Sequence, residues 1–224
     1  MDKIITYLPA SATSLESVSK IPMNIKTVLH VGSGHRKNGA ALPQAFSQPA
    51  WREIRLDIDA KNEPDIVGSM MNMAAVETDS VDALYSSHNI EHVYAHEVPL
   101  VLKEFLRVLK PTGFALITCP DLQTVCALIA QDKLTDAMYQ SPAGPITPLD
   151  VLYGHAAAIA AGNLYMAHKC GFTEKSLTVA LISAGFAAIV SKRRSRGLDL
   201  WAVATKNALE NHLLVELAGQ MIPK

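Results

Sequence analysis

Short apolar runs alternate along the chain with longer stretches in which apolar residues recur every three or four positions. The short runs have the length and composition of β-strands. They cover residues 27–31, 53–58, 65–67, 82–86, 114–119, 186–191 and 199–205. Because strands that alternate with helical stretches build parallel sheets with helices on both faces, we predict an α/β fold with a doubly wound, mostly parallel seven-stranded sheet.

Two of the longer stretches have a clear helical period. The first covers residues 97–109, carries apolar side chains on one face and is followed by Pro111-Thr112-Gly113, a sequence that stops helices. The second begins after the capping residue Thr173 and ends at Gly185. Two strands follow it, joined by the basic segment 193–197. We expect these strands to form an antiparallel hairpin at the edge of the sheet.

Residues 135–170 interrupt the alternation. This segment contains three prolines, three glycines and two of the eight histidines of the chain. A long segment of this composition is typical of loops that cover or line a binding site. We interpret it as a lid or a substrate-facing insertion within a single domain that spans residues 1–224.

The composition narrows the range of partners. The 20 basic and 21 acidic side chains nearly cancel, which argues against nucleic acid and against an anionic membrane surface. No apolar run approaches the roughly 20 residues that span a bilayer. Cys119, Cys126 and Cys170 form no Cys-x-x-Cys pair, and no apolar signal core follows Met1. We expect a cytoplasmic protein with free thiols, and nothing in the sequence indicates its oligomeric state.

One segment carries the strongest chemical signal. Residues 28–34 read Val-Leu-His-Val-Gly-Ser-Gly, an apolar run that ends in two glycines, and the next predicted strand runs into Asp57. A strand, a glycine turn and a later carboxylate are typical of a nucleoside-binding half-site, in which the backbone approaches the ligand and the acid binds ribose hydroxyls. The sequence therefore predicts a nucleoside cofactor.

The order of the motifs between about residues 27 and 206 resembles the class I S-adenosylmethionine-dependent methyltransferases. The glycine segment and Asp57 come first, followed by Pro64-Asp-Ile-Val-Gly-Ser-Met70 beside the adenine and by a fourth-strand motif that ends in Glu91-His92. The strongest likeness is residues 102–121, which contain the helix, the Arg-Val-Leu-Lys-Pro-x-Gly turn and the fifth strand. The most similar branch consists of poorly characterised methyltransferases with that turn motif. The implied architecture is the Rossmann-like methyltransferase fold.

The resemblance implies S-adenosylmethionine as the cofactor and assigns a set of residues to it. The chain departs from the family at His30, where an acid is usual, at Arg36, where a third glycine is usual, and at Ser69 or Met70, where the adenine-side acid is usual. We therefore expect Arg36 to bind the methionyl carboxylate, and backbone and apolar groups to hold the adenine. The cofactor-binding candidates are Val31, Gly32, Ser33, Gly34, Arg36, Asp57, Ile58, Ser69, Met70 and His88.

The implied reaction is in-line transfer of a methyl group to a small-molecule acceptor. Positioning supplies most of the catalysis, and a base is needed only where the attacking atom must lose a proton. The catalytic candidates are His88, Tyr165 and His168, with His88 or His168 as the base. We predict no metal ion.

Three alternatives remain open. The departures at His30, Arg36 and Ser69 also suit a non-catalytic cofactor-binding or partner module on the same fold. A nicotinamide oxidoreductase would need a glycine where the chain has Lys37. The run from His88 to His92 also spells the His-x-x-Glu-His zinc-peptidase pattern, but that site needs both histidines on one helix, whereas His88 follows a predicted strand.

Overall fold

A central sheet organises the part of the chain that the structure, a computed structural model, describes: residues 25–37, 41–47, 49–141, 143–194 and 198–223. Seven strands of this part form the sheet. They are β1 (Lys26–Val31), β2 (Trp51–Asp57), β3 (Ile66–Val67), β4 (Val81–Ser87), β5 (Leu109–Pro120), β8 (Ala188–Arg194) and β9 (Asp199–Thr205). A separate antiparallel pair consists of β6 (Tyr139–Ser141) and β7 (Gly144–Ile146).

The order of the strands across the sheet is β3-β2-β1-β4-β5-β9-β8. The first five strands in the sequence pair in parallel, and β9 pairs antiparallel with both β5 and β8. The predicted α/β fold with a mostly parallel sheet and an antiparallel edge hairpin is therefore confirmed. The chain leaves β1 toward β2 on one side and returns to β4 on the other, so that the loops after β1 and β4 diverge and leave a crevice between them.

Helices cover both faces of the sheet. They are α1 (Val98–Val108), α2 (Leu122–Ile129), α3 (Pro148–Tyr153), α4 (Ala156–Ala160), α5 (Glu174–Ala184) and α6 (Asn211–Met221). The two predicted helices are α1 and α5. Thr173 caps α5 by accepting the Ser176 N–H, and Gly185 ends it with a φ of +107°. Among the described residues, no helix combines the length and the apolar character needed to cross a membrane.

The junction of α1 and β5 differs from the prediction. We expected the helix to continue to Leu109 and the strand to begin at Phe114, but the helix ends at Val108 and the strand begins at Leu109. The residue before a proline avoids the helical conformation, so Pro111 keeps Lys110 extended. The extension pairs Val81 with Leu109, and the register then shifts before Ala83 pairs with Phe114.

Side chains alternate between the two faces along each strand and form two cores. On one face, Leu29, Leu84 and Ile117 pack with α1 and α5. On the other face, Tyr85 and Trp201 pack with α6. All three cysteines are free, as predicted.

The segment 135–170 lies outside the main sheet. It contains the β6–β7 pair, α3, α4 and a single helical turn at Leu164–Met166. The chain then returns through Phe172, which is buried against the core, and enters α5.

Leu102 and Leu100 allow a matched test of the α1 packing. Leu102 is fully buried, so Leu102→Ala should lower the free energy of unfolding by about 2–5 kcal/mol. Leu100 lies on the same helix with 55% of its surface exposed, and Leu100→Ala should change stability by no more than about 0.5 kcal/mol. Urea unfolding followed by circular dichroism measures both. Equal losses in the two variants would contradict this assignment of the buried face.

Candidate functional site

A cavity of about 350 Å³ opens at the carboxyl edge of the sheet. The loops after β1, β2 and β4 form most of its wall, and residues 163–169 close one side. In doubly wound folds, ligands bind beyond the carboxyl ends of the strands, where the chain reverses its direction across the sheet. This cavity therefore lies where the glycine segment predicted a binding site.

The loop after β1 requires glycine at Gly32. Gly32 has a φ of +60°, and a Cβ there would lie 2.0 Å from Oδ1 of Asn89. The Nδ2 group of Asn89 donates to the carbonyls of Val31 at 2.9 Å and Ser87 at 3.0 Å. The amide side chain thus fastens the end of β1 to the end of β4, and it fits because Gly32 has no side chain.

Asp57, the last residue of β2, is buried and joins two loops. Its Oδ2 accepts the Gly34 N–H at 2.8 Å. Its Oδ1 accepts the Asp59 N–H and the Asn62 side-chain amide, each at 2.9 Å. A carboxylate offers about four lone-pair positions, so roughly one stays available to a ligand.

A second group of charged side chains supports the glycine loop from behind. The Nη2 group of Arg55 donates to the carbonyls of Ser33 at 2.7 Å and Gly34 at 3.2 Å, while its Nη1 group contacts Glu53 at 2.9 Å. His30, which is fully buried, donates from Nδ1 to the same Glu53 carboxylate at 2.7 Å. Burial lowers the pKa of His30, although Glu53 opposes that effect. The departure from the family at His30 is therefore part of an internal polar chain, not of the cavity wall.

Part of the cavity wall is apolar. It includes Ile58 and Met71, which are 46% and 36% exposed, together with Met70. Ser69 also lines this wall, and its hydroxyl accepts the Met71 N–H at 3.2 Å. Exposed apolar side chains beside a polar turn can bind a planar ligand ring that carries a few polar groups.

His88 enters the cavity directly after β4. Its φ is +52°, an unusual conformation for a side-chain-bearing residue, and its N–H donates to the Thr118 carbonyl at 2.9 Å. Nδ1 of His88 lies 3.6 Å from Oε1 of the buried Glu91. Burial works to lower the pKa of His88, but contact with the Glu91 carboxylate raises it above its usual value.

The wall formed by residues 163–169 is tied to the turn at Ile90–His92. The N–H groups of Lys169 and Cys170 both donate to the Glu91 carbonyl, at 2.8 and 3.2 Å. Nδ1 of His92 donates to the Ala167 carbonyl at 3.1 Å. These bonds position the segment that carries Tyr165, which is 54% exposed and lines the cavity.

Residues 29–117 match the family model of a methyltransferase domain. The match runs from β1 into β5 and contains the glycine loop, Asp57 and His88. No curated protein sequence matches the chain.

Solved structures of methyltransferases share the fold. One from Methanosarcina mazei, a S-adenosylmethionine-dependent methyltransferase, has 16% identity and a TM-score of 0.53, and the match covers 82% of this chain and 94% of that chain. The 1,6-didemethyltoxoflavin-N1-methyltransferase of Burkholderia thailandensis, solved with 1,6-didemethyltoxoflavin and S-adenosylhomocysteine, has 17% identity and a TM-score of 0.51 over 82% of this chain and 72% of that chain. At these identities the likeness concerns the fold alone.

Most of the candidate residues named from the sequence lie together. The candidates that line the cavity are Val31, Gly32, Gly34, Asp57, Ile58, Ser69, Met70, His88 and Tyr165. Ser33 and Arg36 do not line it. Ser33 is fully buried, and the Arg36 guanidinium donates instead to Asp65 at 2.6 Å and to the Glu63 carbonyl at 3.0 Å. His168 lines a second cavity, of about 320 Å³.

Sequence reasoning missed several residues of the cavity wall. Asn62, Asn89 and Lys169 line it, and Asn89 is the most important because it fixes the glycine loop. Asn89 stands inside the fourth-strand motif between His88 and Glu91, so its position beyond a strand end was the available signal. Nothing in the pattern pointed to Lys169.

The two arginines of β8 pair within the protein. Arg193 contacts Asp121, which caps α2, and Arg194 contacts Asp199 at 2.6 Å. Residues 195–197 of the basic segment lie outside the described residues. Arg193 and Arg194 are thus engaged in ion pairs of the fold.

The glycine loop provides a sharp test of the site. Gly32→Ala should lower the free energy of unfolding by about 1–3 kcal/mol or more, because it forces a side chain into a positive φ and against Asn89. Gly68 lines the same cavity, and a Cβ there would meet its nearest neighbours at 3.9 Å. Gly68→Ala should therefore stay within about 1 kcal/mol of the parent protein. Thermal unfolding measures both variants, and a fully stable Gly32→Ala protein would refute the described loop geometry.

Proposed function

We propose that the chain transfers the methyl group of S-adenosylmethionine to an oxygen or nitrogen atom of a small-molecule acceptor. The observation that carries the proposal is the cavity at the carboxyl edge of the sheet, where Gly32, Gly34 and Asp57 meet within the segment that matches a methyltransferase domain. When bound, the cofactor supplies an electrophilic methyl group on a sulfonium.

The walls of the cavity suit the parts of this cofactor. Asp57 retains about one acceptor position and Asp59 lies beside it, so these carboxylates are the candidates for the ribose hydroxyls. Ile58, Met70 and Met71 offer apolar surface for the adenine. Arg36 is paired with Asp65, which leaves the backbone of the glycine loop as the candidate partner for the methionyl part.

His88 and Tyr165 are the candidates on the acceptor side. A histidine whose Nδ1 faces a carboxylate keeps its proton there and presents Nε2 as a base, an arrangement that recurs in enzymes. His88 faces Glu91 in this way and lines the cavity. Residues 163–169 cover one side and would exclude water from the reacting atoms. His168 belongs to the second cavity, so we assign the base to His88.

Calorimetric titration tests the cofactor. The full chain should bind S-adenosylmethionine and S-adenosylhomocysteine with one site each, and NAD should show no saturable binding. Failure of both sulfur compounds to bind well-folded protein would sink the proposal. Saturable binding without methyl transfer to any acceptor would favour the non-catalytic cofactor-binding module.

Asp57→Asn tests the ribose assignment in the same titration. Loss of a charge-assisted hydrogen bond should weaken S-adenosylhomocysteine binding by roughly 10- to 100-fold. Asp136→Asn, at an exposed position away from the cavity, is the matched control and should leave the affinity unchanged. Asp59→Asn completes the set. If only this variant loses affinity, the ribose role belongs to Asp59.

His88→Asn tests the base, since asparagine tolerates the positive φ of this position. With an acceptor identified by a methyl-transfer screen, kcat should fall by about 10²- to 10⁴-fold while cofactor affinity changes little. His96→Asn removes an exposed imidazole and should keep full activity. A kcat for His88→Asn that stays within a few-fold of the parent enzyme would exclude His88 as the base.

A further inference from the structure

A buried carboxylate surrounded by imidazoles has no place in methyl transfer beyond its contact with His88. Glu91 is 1% exposed, and among the described residues neither of its carboxylate oxygens has a hydrogen-bond partner. Burying a carboxylate without a partner costs roughly several kcal/mol of folding free energy unless a cation compensates for its charge. A positive charge close to Glu91 would therefore stabilise the protein.

His92 and His168 bring two nitrogen atoms to this carboxylate. Nδ1 of His92 lies 3.1 Å from the Ala167 carbonyl, and Nδ1 of His168 lies 2.6 Å from the Val151 carbonyl. Because a carbonyl can only accept, both Nδ1 atoms carry the proton and both Nε2 atoms keep a lone pair when the rings are neutral. Donation from the second ring nitrogen to a backbone carbonyl is the usual way in which proteins orient metal-binding histidines.

The three side chains form a compact set. One ligand atom from each of Glu91, His92 and His168 lies within 4.8 Å of the others, and the two rings meet edge to face with centroids 4.8 Å apart. Two histidines and one glutamate are a ligand set of zinc sites that keep an open position, and two histidines with a carboxylate also bind iron. A tetrahedral zinc ion needs about 3.3 Å between ligand atoms, so binding would draw the three side chains together.

We propose that Glu91, His92 and His168 bind a divalent transition-metal ion, with Zn²⁺ as the reference ion. Glu91 and His168 line the second cavity, whereas His92 lines the first, so the ion would lie in the wall between them. The remaining coordination position takes water or an oxygen atom of a molecule in the second cavity. The ligand set differs from the peptidase pattern, because His88 follows a strand and does not belong to the cluster.

A direct salt bridge with protonated histidines is the competing explanation. Such a bridge would place an imidazole N–H within hydrogen-bond distance of the carboxylate, as charge-assisted pairs require. Within the described residues the carboxylate accepts no such bond, and Nδ1 of His88 lies 3.6 Å from its Oε1 atom. The side chains of the cluster are therefore spaced more like ligands around a metal ion than like a direct salt bridge.

Zinc titration of the full chain tests the proposal without cofactor or acceptor. After dialysis against chelator, competition with a chromophoric zinc chelator should show one tight site per chain. Glu91→Gln, which preserves the shape of the side chain, and His168→Ala should each weaken that site by more than about 100-fold, the upper end of the loss caused by removing an outer partner. Mg²⁺ should bind far more weakly, because imidazole nitrogens suit zinc better.

His212→Ala is the matched control, since His212 is 71% exposed on α6 and should not affect the site. Thermal unfolding in the absence of zinc checks that each variant folds, and Glu91→Gln carries the test if His168→Ala does not fold. No tight site in the parent protein, or unchanged zinc affinity in folded Glu91→Gln, overturns the proposal. Because the cofactor is absent from this experiment, its failure is distinct from failure of the methyltransferase proposal.

Discussion

The carboxylate of Asp57 holds together the two loops on which the candidate cofactor site depends. It accepts an N–H from the glycine loop and, through its other oxygen, an N–H and an amide from the loop after β2. These bonds are partly buried, so losing the carboxylate would deprive three donors of their partner. Asp57, which the sequence suggested for ribose, therefore also joins the two loops of the cavity. The same carboxylate oxygens would have to serve both roles.

Two further contacts keep the glycine loop in position. Asn89 fastens it to the end of β4 from the cavity side, and Arg55 holds its carbonyls from behind. Gly32 adopts its positive φ without strain, whereas the unusual positive φ of His88 persists because the loops around it are fixed in this way. A ligand would thus meet a site that is already formed, which lowers the ordering cost of binding.

The fold was predictable because it depends on periodicity, whereas the site depends on tertiary contacts. The apolar runs around Val28 and Leu116 and the stripe through Leu102 identify strands and a helix by themselves. The sequence did not reveal that Arg36 turns to Asp65, because no local pattern indicates which acid a surface arginine will meet. His168 was assigned to the same pocket as His88, but its bond to the Val151 carbonyl directs it to the second cavity. Helix α6 was not predicted, because its apolar stripe is weak and no strand pattern follows it in the sequence.

Glu91 connects the two proposals physically. Burial works to raise the pKa of Glu91, but the nearby imidazoles of His88, His92 and His168 hold it below its usual value. A carboxylate has two oxygens, and one can orient His88 toward the first cavity while the other faces the histidines beside the second. A metal ion bound there would withdraw negative charge from the carboxylate and make His88 a weaker base. The two roles of Glu91 are therefore coupled, and the strength of the base would depend on occupancy of the metal site.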